Sequence, residues 1–200
     1  MTKIGQQFFE GNDVVAIAKN LLGKELYSSF DGIVTGGVIV ETEAYCGETD
    51  RACHAFGGKR TPRTEVMFQE GGRAYVYLCY GIHSLFNIVT NKENRADAVL
   101  IRAIEPTLGL EEMLRRRQMK EVEYRLTAGP GALGKALGFA TKHTGLPVFG
   151  ETIWLEDQGG MYSDHEILAS ARVGVAYAGE DAFLPWRFRI NKNPWCSKAK

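Results

Sequence analysis

The chain has 200 residues, 44% hydrophobic and 24% charged, enough to enclose one core and with no compositional break, so residues 1–200 are expected to form a single domain. Lys plus Arg and Asp plus Glu both number 24, so the net charge is zero and any surface for a polyanion must be local. Residues 1–9 lack a basic segment followed by a long apolar one, and no apolar run approaches the roughly 18 residues of a membrane span, so a cytoplasmic protein without membrane attachment is expected.

The first element is a helix: Asn12 or Asp13 can cap it, Val14, Ile17, Ala18, Leu21 and Leu22 recur at helical spacing, and Gly23 suits its end. Residues 33–43 read as a strand, with Val34, Val38, Val40 and Thr42 on alternate positions and Gly36 and Gly37 permitting a bend or bulge. Residues 46–72 carry Gly, Thr, Asp, Arg and Pro without a clean period and read as a long irregular connection, of the kind usually kept for function. Two β-rich runs, 75–79 and 84–90, flank Tyr80, Gly81, Ile82 and His83 and predict a hairpin with Tyr80 at its tip. Next come a strand over 98–104 ended by Pro106, a charged helix over 108–123 with Arg115, Arg116, Arg117 and Lys120, and a short helix over 132–140. Closing strands are expected at 152–155, 171–176 and 186–190. Strands in hairpins interrupted by isolated helices predict an α+β fold with a mixed, mostly antiparallel sheet, flanking helices and a protruding hairpin.

Alternation puts Glu41 and Glu43 on one strand face. Two residues apart on a strand they do not flank a substrate from opposite sides as paired sugar-hydrolase carboxylates do, so a single carboxylate base is the better chemical reading. The plain alternative is a pair of exposed strand-end glutamates. Tyr45, His54, Tyr75, Tyr77, Tyr80 and His83 add flat side chains to the same third of the chain, and Asn87 adds an amide that could read a base edge. Such a set suits extrusion of a nucleobase and the filling of the gap it leaves, while Tyr75 and Tyr77, of equal parity, also suit ordinary sheet packing. Arg51, Lys59, Arg60, Arg63 and Arg73 gather charge around the irregular connection and form a possible phosphate track.

Gly129-Pro130-Gly131-Ala132-Leu133-Gly134-Lys135 nearly spells a phosphate-binding loop, but Ala136 stands where Ser or Thr would ligate magnesium and no buried strand precedes it. What survives is an amide-rich helix start able to hold one backbone phosphate. Cys46, Cys53, Cys79 and Cys196 are scattered, which favours free thiols over disulfides or zinc, and neither metal nor cofactor is expected.

The motifs Val40-Glu41-Thr42-Glu43-Ala44-Tyr45, His54, Thr61-Pro62-Arg63, Met67-Phe68, Tyr75-Val76-Tyr77, Tyr80-Gly81 and Asn87 together resemble the alkyladenine (3-methyladenine) DNA glycosylase family, in a bacterial-type member. The likeness runs on through Leu100-Ile101-Arg102-Ala103, Glu105-Pro106, Gly129-Pro130, Ala171-Arg172-Val173-Gly174-Val175, Ala178-Gly179-Glu180 and Pro194-Trp195. It implies that Glu43 deprotonates the attacking water, which Arg102 and the main-chain carbonyl of Val173 help to position. Tyr45 and His54 resemble the pair that sandwich a flipped base with Tyr77 close by, the stacking order being open, and main-chain groups at Ala52 and His54 would read the purine edge. Tyr80 resembles the hairpin residue that intercalates in the minor groove, and Asn87 the wall that discourages a guanine 2-amino group. Lys59, Arg60, Arg63, Gly129, Gly131 and Arg172 are the weaker expectations for the DNA backbone.

The resemblance thus implies a monomeric hydrolase of duplex DNA, acting at the nucleoid and initiating base excision repair on purines such as 3-methyladenine, 7-methylguanine, hypoxanthine or ethenoadenine. No covalent amine stands among these residues, so a monofunctional enzyme that leaves an abasic site is expected, with Lys59 as the residue that could challenge it. Two rivals remain: a non-catalytic damaged-DNA-binding or bending protein, and a hydrolase of free nucleosides or sugars.

Overall fold

The computed structural model describes residues 2–160 and 162–198. In chain order it contains β1 (Thr2–Lys3), α1 (Val14–Asn20), β2 (Glu25–Phe30), β3 (Ile33–Tyr45), β4 (Ala74–Cys79), β5 (His83–Thr90) and β6 (Asp97–Leu108), then α2 (Leu110–Arg117), α3 (Pro130–Leu137), β7 (Ile153–Asp157), β8 (Ile167–Ser170) and β9 (Arg187–Ile190), joined by turns and short 3-10 segments. The strands pair antiparallel in the order β1-β7-β2-β3-β6-β5-β4, with β9 added to β3 and β8 to β9. The fold is the expected α+β arrangement.

The 13-residue β3 is its axis. One of its edges is covered by β6; the other is shared, β2 pairing with residues 33–38 and β9 with residues 41–43. Two compensating bulges interrupt the β3–β6 ladder where Val40 is the extra residue on β3 and Arg102 the extra residue on β6. A bulge re-aims side chains, and here it lets Arg102 point at Glu41 and Glu43 together. On the opposite face Thr42 donates to the Ala18 carbonyl of α1 at 2.8 Å, so helices and carboxylates lie on opposite sides of β3.

Asp13 is the cap of α1, its carboxylate accepting from the Ala16 N–H at 2.9 Å. Helix α2 stops at Gln118 (φ 55°) rather than near 123, and its basic run is tied down: Glu112 accepts from Arg115 and Arg116, and Arg117 donates to the carbonyls of Arg125 and Leu126. Helix α3 opens two residues earlier than expected because Pro130 takes its first turn, and it ends at Gly138 (φ 78°). A Cβ on Gly134 would stand 2.0 Å from the Ser84 carbonyl oxygen of β5, so Gly134 of the apparent phosphate loop serves close helix-to-strand packing.

Three strand expectations change. Strand β6 continues past Pro106 because that residue faces Gly37 at a register shift, where a side chain would collide with the Glu105 carbonyl. Strand β2, without clean alternation, is buried on both faces over its first four residues. Residues 171–176 form no strand: the strand is β8, just before them, and the Gly174 backbone (φ 75°) with the side chain of Arg172 turns this stretch inward.

The main core lies between the sheet and the helices, with Phe9, Phe86, Phe188, Ile39 and Ile101 fully enclosed or nearly so. A second cluster, including Val66, Met67, Phe68, Tyr75 and Ala98, roots the irregular connection onto β4, β5 and β6. That connection, though without strands, therefore presents its residues from a fixed base.

Candidate active site

A transverse row of side chains crosses five strands: Tyr75 on β4 faces Asn87 on β5, which faces Leu100 on β6, then Glu43 on β3 and Arg187 on β9. Tyr77 and Tyr45, each two residues along on strands that run in opposite directions, flank the row on opposite sides. A cavity of about 220 Å³ opens over this row. Tyr45, His54, Tyr77, Asn87, Arg102 and Val173 all reach its wall.

Glu43 is fully buried behind that wall. Its Oε1 accepts the Val173 N–H at 2.8 Å; its Oε2 accepts the Tyr45 hydroxyl at 2.8 Å and faces Arg102 Nη1 at 3.2 Å. Exposed strand-end glutamates are therefore ruled out for both carboxylates, since Glu41 is equally buried and accepts from Arg102 Nε at 2.7 Å and Arg187 Nε at 2.8 Å. Burial alone would raise the Glu41 carboxyl, but Arg102, the Ser197 N–H and Arg187 outweigh it and hold Glu41 below the usual carboxylate range. Burial and the neighbouring Glu43 push the Tyr45 hydroxyl well above the ordinary tyrosine range, so it stays protonated and a donor. Val173 was expected to act through its carbonyl; its N–H orients the carboxylate itself.

The aromatic wall is built from two segments. The His54 ring stands edge-on to Tyr77 at 4.7 Å and its Nδ1 is 2.9 Å from the Tyr75 hydroxyl. Arg63 lies 4.8 Å over the Tyr77 ring and donates to the Tyr75 hydroxyl at 3.2 Å, so this residue, expected on the DNA backbone, lines up with the pocket aromatics. Burial and, behind it, the Arg63 charge lower the His54 imidazole to about 4, leaving a neutral ring at pH 7. Asn87 donates both amide hydrogens to main-chain carbonyls, those of Tyr75 at 3.1 Å and Leu85 at 3.3 Å. What it can offer a ligand is its oxygen and its bulk.

Arg172 corrects the expectation made for it, and for Ala52 the main-chain N–H drops out. The Ala52 N–H is committed to Asp50 Oδ1 at 2.9 Å and its carbonyl accepts the Tyr177 hydroxyl at 3.1 Å, so the N–H cannot read a purine edge. The Arg172 side chain is wholly interior, with no exposure, and cannot reach a phosphate. It donates through Nη2 to Asp50 Oδ1 at 2.8 Å and through Nη1 to Oδ2, and to the Ala44 carbonyl at 2.9 Å. Its guanidinium carbon lies 4.8 Å from the Tyr45 ring centre and 5.2 Å from that of Trp186. Tyr177 and Asp50 were missed because their partners lie 125 and 122 residues away in sequence.

The hairpin β4–β5 closes through three residues, Tyr80, Gly81 and Ile82, with His83 already paired to Cys79. Tyr80 takes a left-handed backbone (φ 52°) and is 88% exposed, and Ile82 beside it is 73% exposed. Large apolar groups so presented have no packing role within the chain. Lys59 and Arg60 are exposed on the connection, Arg60 lying over Phe68 at 4.2 Å. Gly129 (φ 106°) opens α3, while a Cβ on Gly131 would meet the His83 ring at 2.9 Å.

An aromatic-lined slot backed by a fixed carboxylate and edged by an exposed aromatic hairpin has the chemistry of a site for a flat heterocyclic ring. The sequence matches the methylpurine-DNA glycosylase family over residues 7–194. Similar curated proteins include those of Bacillus mycoides (strain KBAB4) and Bacillus cereus (strain G9842), each 43% identical over 199 residues, and of Bacillus cytotoxicus, 41% identical; all three cover 96% of this chain and 97% of their own length, and bear the name "Putative 3-methyladenine DNA glycosylase". The chain belongs to the methylpurine-DNA glycosylase family and is a DNA glycosylase, a hydrolase of N-glycosyl bonds. Among the described residues no helix is long and apolar enough to cross a membrane.

Proposed function

We propose that the protein excises alkylated purines, 3-methyladenine foremost, from duplex DNA with Glu43 as general base. The observation that carries this reading is the buried Glu43 carboxylate, fixed by Val173, Tyr45 and Arg102 directly behind the wall that those three residues give an aromatic slot. A purine swung out of the duplex enters between Tyr45, His54 and Tyr77, and Tyr80 fills the vacated place in the stack. Water taken at the wall between Arg102 and Val173 attacks the sugar carbon C1′ and gives its proton to Glu43. The bond from C1′ to the base nitrogen breaks and its electron pair leaves with the base, so a purine carrying a positive charge through alkylation departs neutral. The slot's main tasks are therefore extraction and alignment, which suits a site with one carboxylate base. Hypoxanthine leaves less readily without protonation, and neutral lesions are accordingly slower substrates.

The test is release of free base from methylated and hypoxanthine-containing duplexes at one salt concentration, with wild type and Glu43→Gln. The variant should lose about 10²- to 10⁴-fold in single-turnover rate while still binding damaged duplex. Base release by the variant at the wild-type rate would remove Glu43 as the base. A wild type that binds but releases nothing would leave a damage-binding protein.

A further inference from the structure

Beyond β9 the chain doubles back over the catalytic end of the β3–β6 ladder. Trp195 sets its ring edge-on against Tyr124 at 5.2 Å, and the Asn193 amide donates to Glu105 on β6 at 3.0 Å. The Cys196 thiol lies 3.3 Å from the carbonyl of Val40, the bulged residue of β3. Ser197 is thereby delivered to the other bulge: its N–H donates to Glu41 Oε2 at 2.6 Å and its hydroxyl to Glu41 Oε1 at 2.8 Å, while that hydroxyl accepts from Arg102 Nη2 at 3.4 Å and Arg187 Nη2 at 3.3 Å. The strap thus bears on both irregularities that aim the catalytic side chains.

We propose that Ser197 is a positioning residue for base excision, holding the Arg102 guanidinium so that a single N–H group faces Glu43. The inference rests on the reading of Glu43 as the group that takes the water's proton. A guanidinium beside one carboxylate favours a two-pronged fork that occupies both oxygens. Here Glu41 takes Nε at 2.7 Å, Ser197 takes Nη2, and Nη1 alone is left for Glu43 at 3.2 Å. Dividing the guanidinium among three acceptors leaves Glu43 room to accept a proton. The Pro194-Trp195 motif, which has no contact with the slot, anchors the strap that makes this division.

Ser197→Ala keeps the main-chain N–H on Glu41 and removes the hydroxyl, while Ser197→Thr keeps the hydroxyl. Single-turnover release from a methylated duplex should slow by about tenfold in the alanine variant, one charge-assisted hydrogen bond expressed in the rate, and return to within about threefold in the threonine variant. The Kd for a duplex containing an abasic site should be unchanged in both. A lowered Tm with an unchanged rate in Ser197→Ala would overturn the proposal by reducing the strap to a structural clamp, and so would equal slowing in both variants. If Glu43→Gln retains release, it is the reading of Glu43 that fails; loss in Glu43→Gln with wild-type rate in Ser197→Ala overturns the role of Ser197 alone.

Discussion

Replacing Asp50 by Asn distinguishes an interior role for Arg172 from a place on the DNA backbone. Asn keeps the shape of Asp but removes its charge and turns one acceptor into a donor facing a guanidinium N–H. Both side chains are without exposure, so the Arg172 charge would be left in the interior without its hydrogen-bonded carboxylate partner. Breaking such a pair costs about 3–5 kcal/mol. The Ala44 and Asp181 carbonyls still accept from Arg172, at 2.9 and 3.0 Å, which places the expected loss toward the lower end, about 3 kcal/mol. For a chain of this length Tm should fall by about 6–12 °C, read by circular dichroism or calorimetry at pH 7. The companion measurement is duplex binding by Arg172→Met across a salt series: with no phosphate contact removed, the dependence of log Kd on log salt should match wild type, whereas loss of a phosphate contact would lower the slope by about 1. A Tm within about 2 °C of wild type for Asp50→Asn, together with a slope reduced by about 1 for Arg172→Met, would refute the buried-pair assignment.

Tyr80→Ala should leave Tm unchanged, because the ring is 88% exposed, yet slow base release from duplex by at least about tenfold; unimpaired release would deny the hairpin a wedge role. For His54, lowered to about 4 by burial and Arg63, the folded chain resists a proton that the unfolded chain accepts near pH 6.5. Its contribution to stability is therefore whole above about pH 6.5 and lost as pH falls through about 4, so the Tm of His54→Gln should decline less steeply than that of wild type across this window. Gly134→Ala should destabilise by about 1–3 kcal/mol, read in a denaturant titration, since its Cβ would press on the main chain of β5 where nothing can swing aside.

Much of the site was legible because it depends on local rules. Alternation placed Glu41 and Glu43 on one face, turn chemistry placed Tyr80 at a hairpin tip, and the pair Asn12 and Asp13 announced the start of α1, which Asp13 caps. What escaped depends on contacts across the chain. Val173 and Val175 alternate as strand residues do, but the segment is held by Arg172 on Asp50 and by the Val173 N–H on Glu43, neither of which leaves a local pattern. The same holds for Arg172 as a phosphate contact: a positive charge in a matching motif carries no mark of being interior. Strand β2 lacked a signal because both faces are covered, so polar Glu25 and Ser28 sit among apolar neighbours without a period.

The row that runs from Tyr75 to Glu43 makes the sheet a ruler. Three strand spacings of about 4.8 Å set roughly 14 Å between the backbone of Tyr75 and that of Glu43. Hydrogen-bonded strands cannot stretch to suit a larger guest, so a bulkier ligand must find room above or beside the row. On the reading of Glu43 as the base, breadth of substrate would be a matter of headroom, with the point of cleavage set by the ladder.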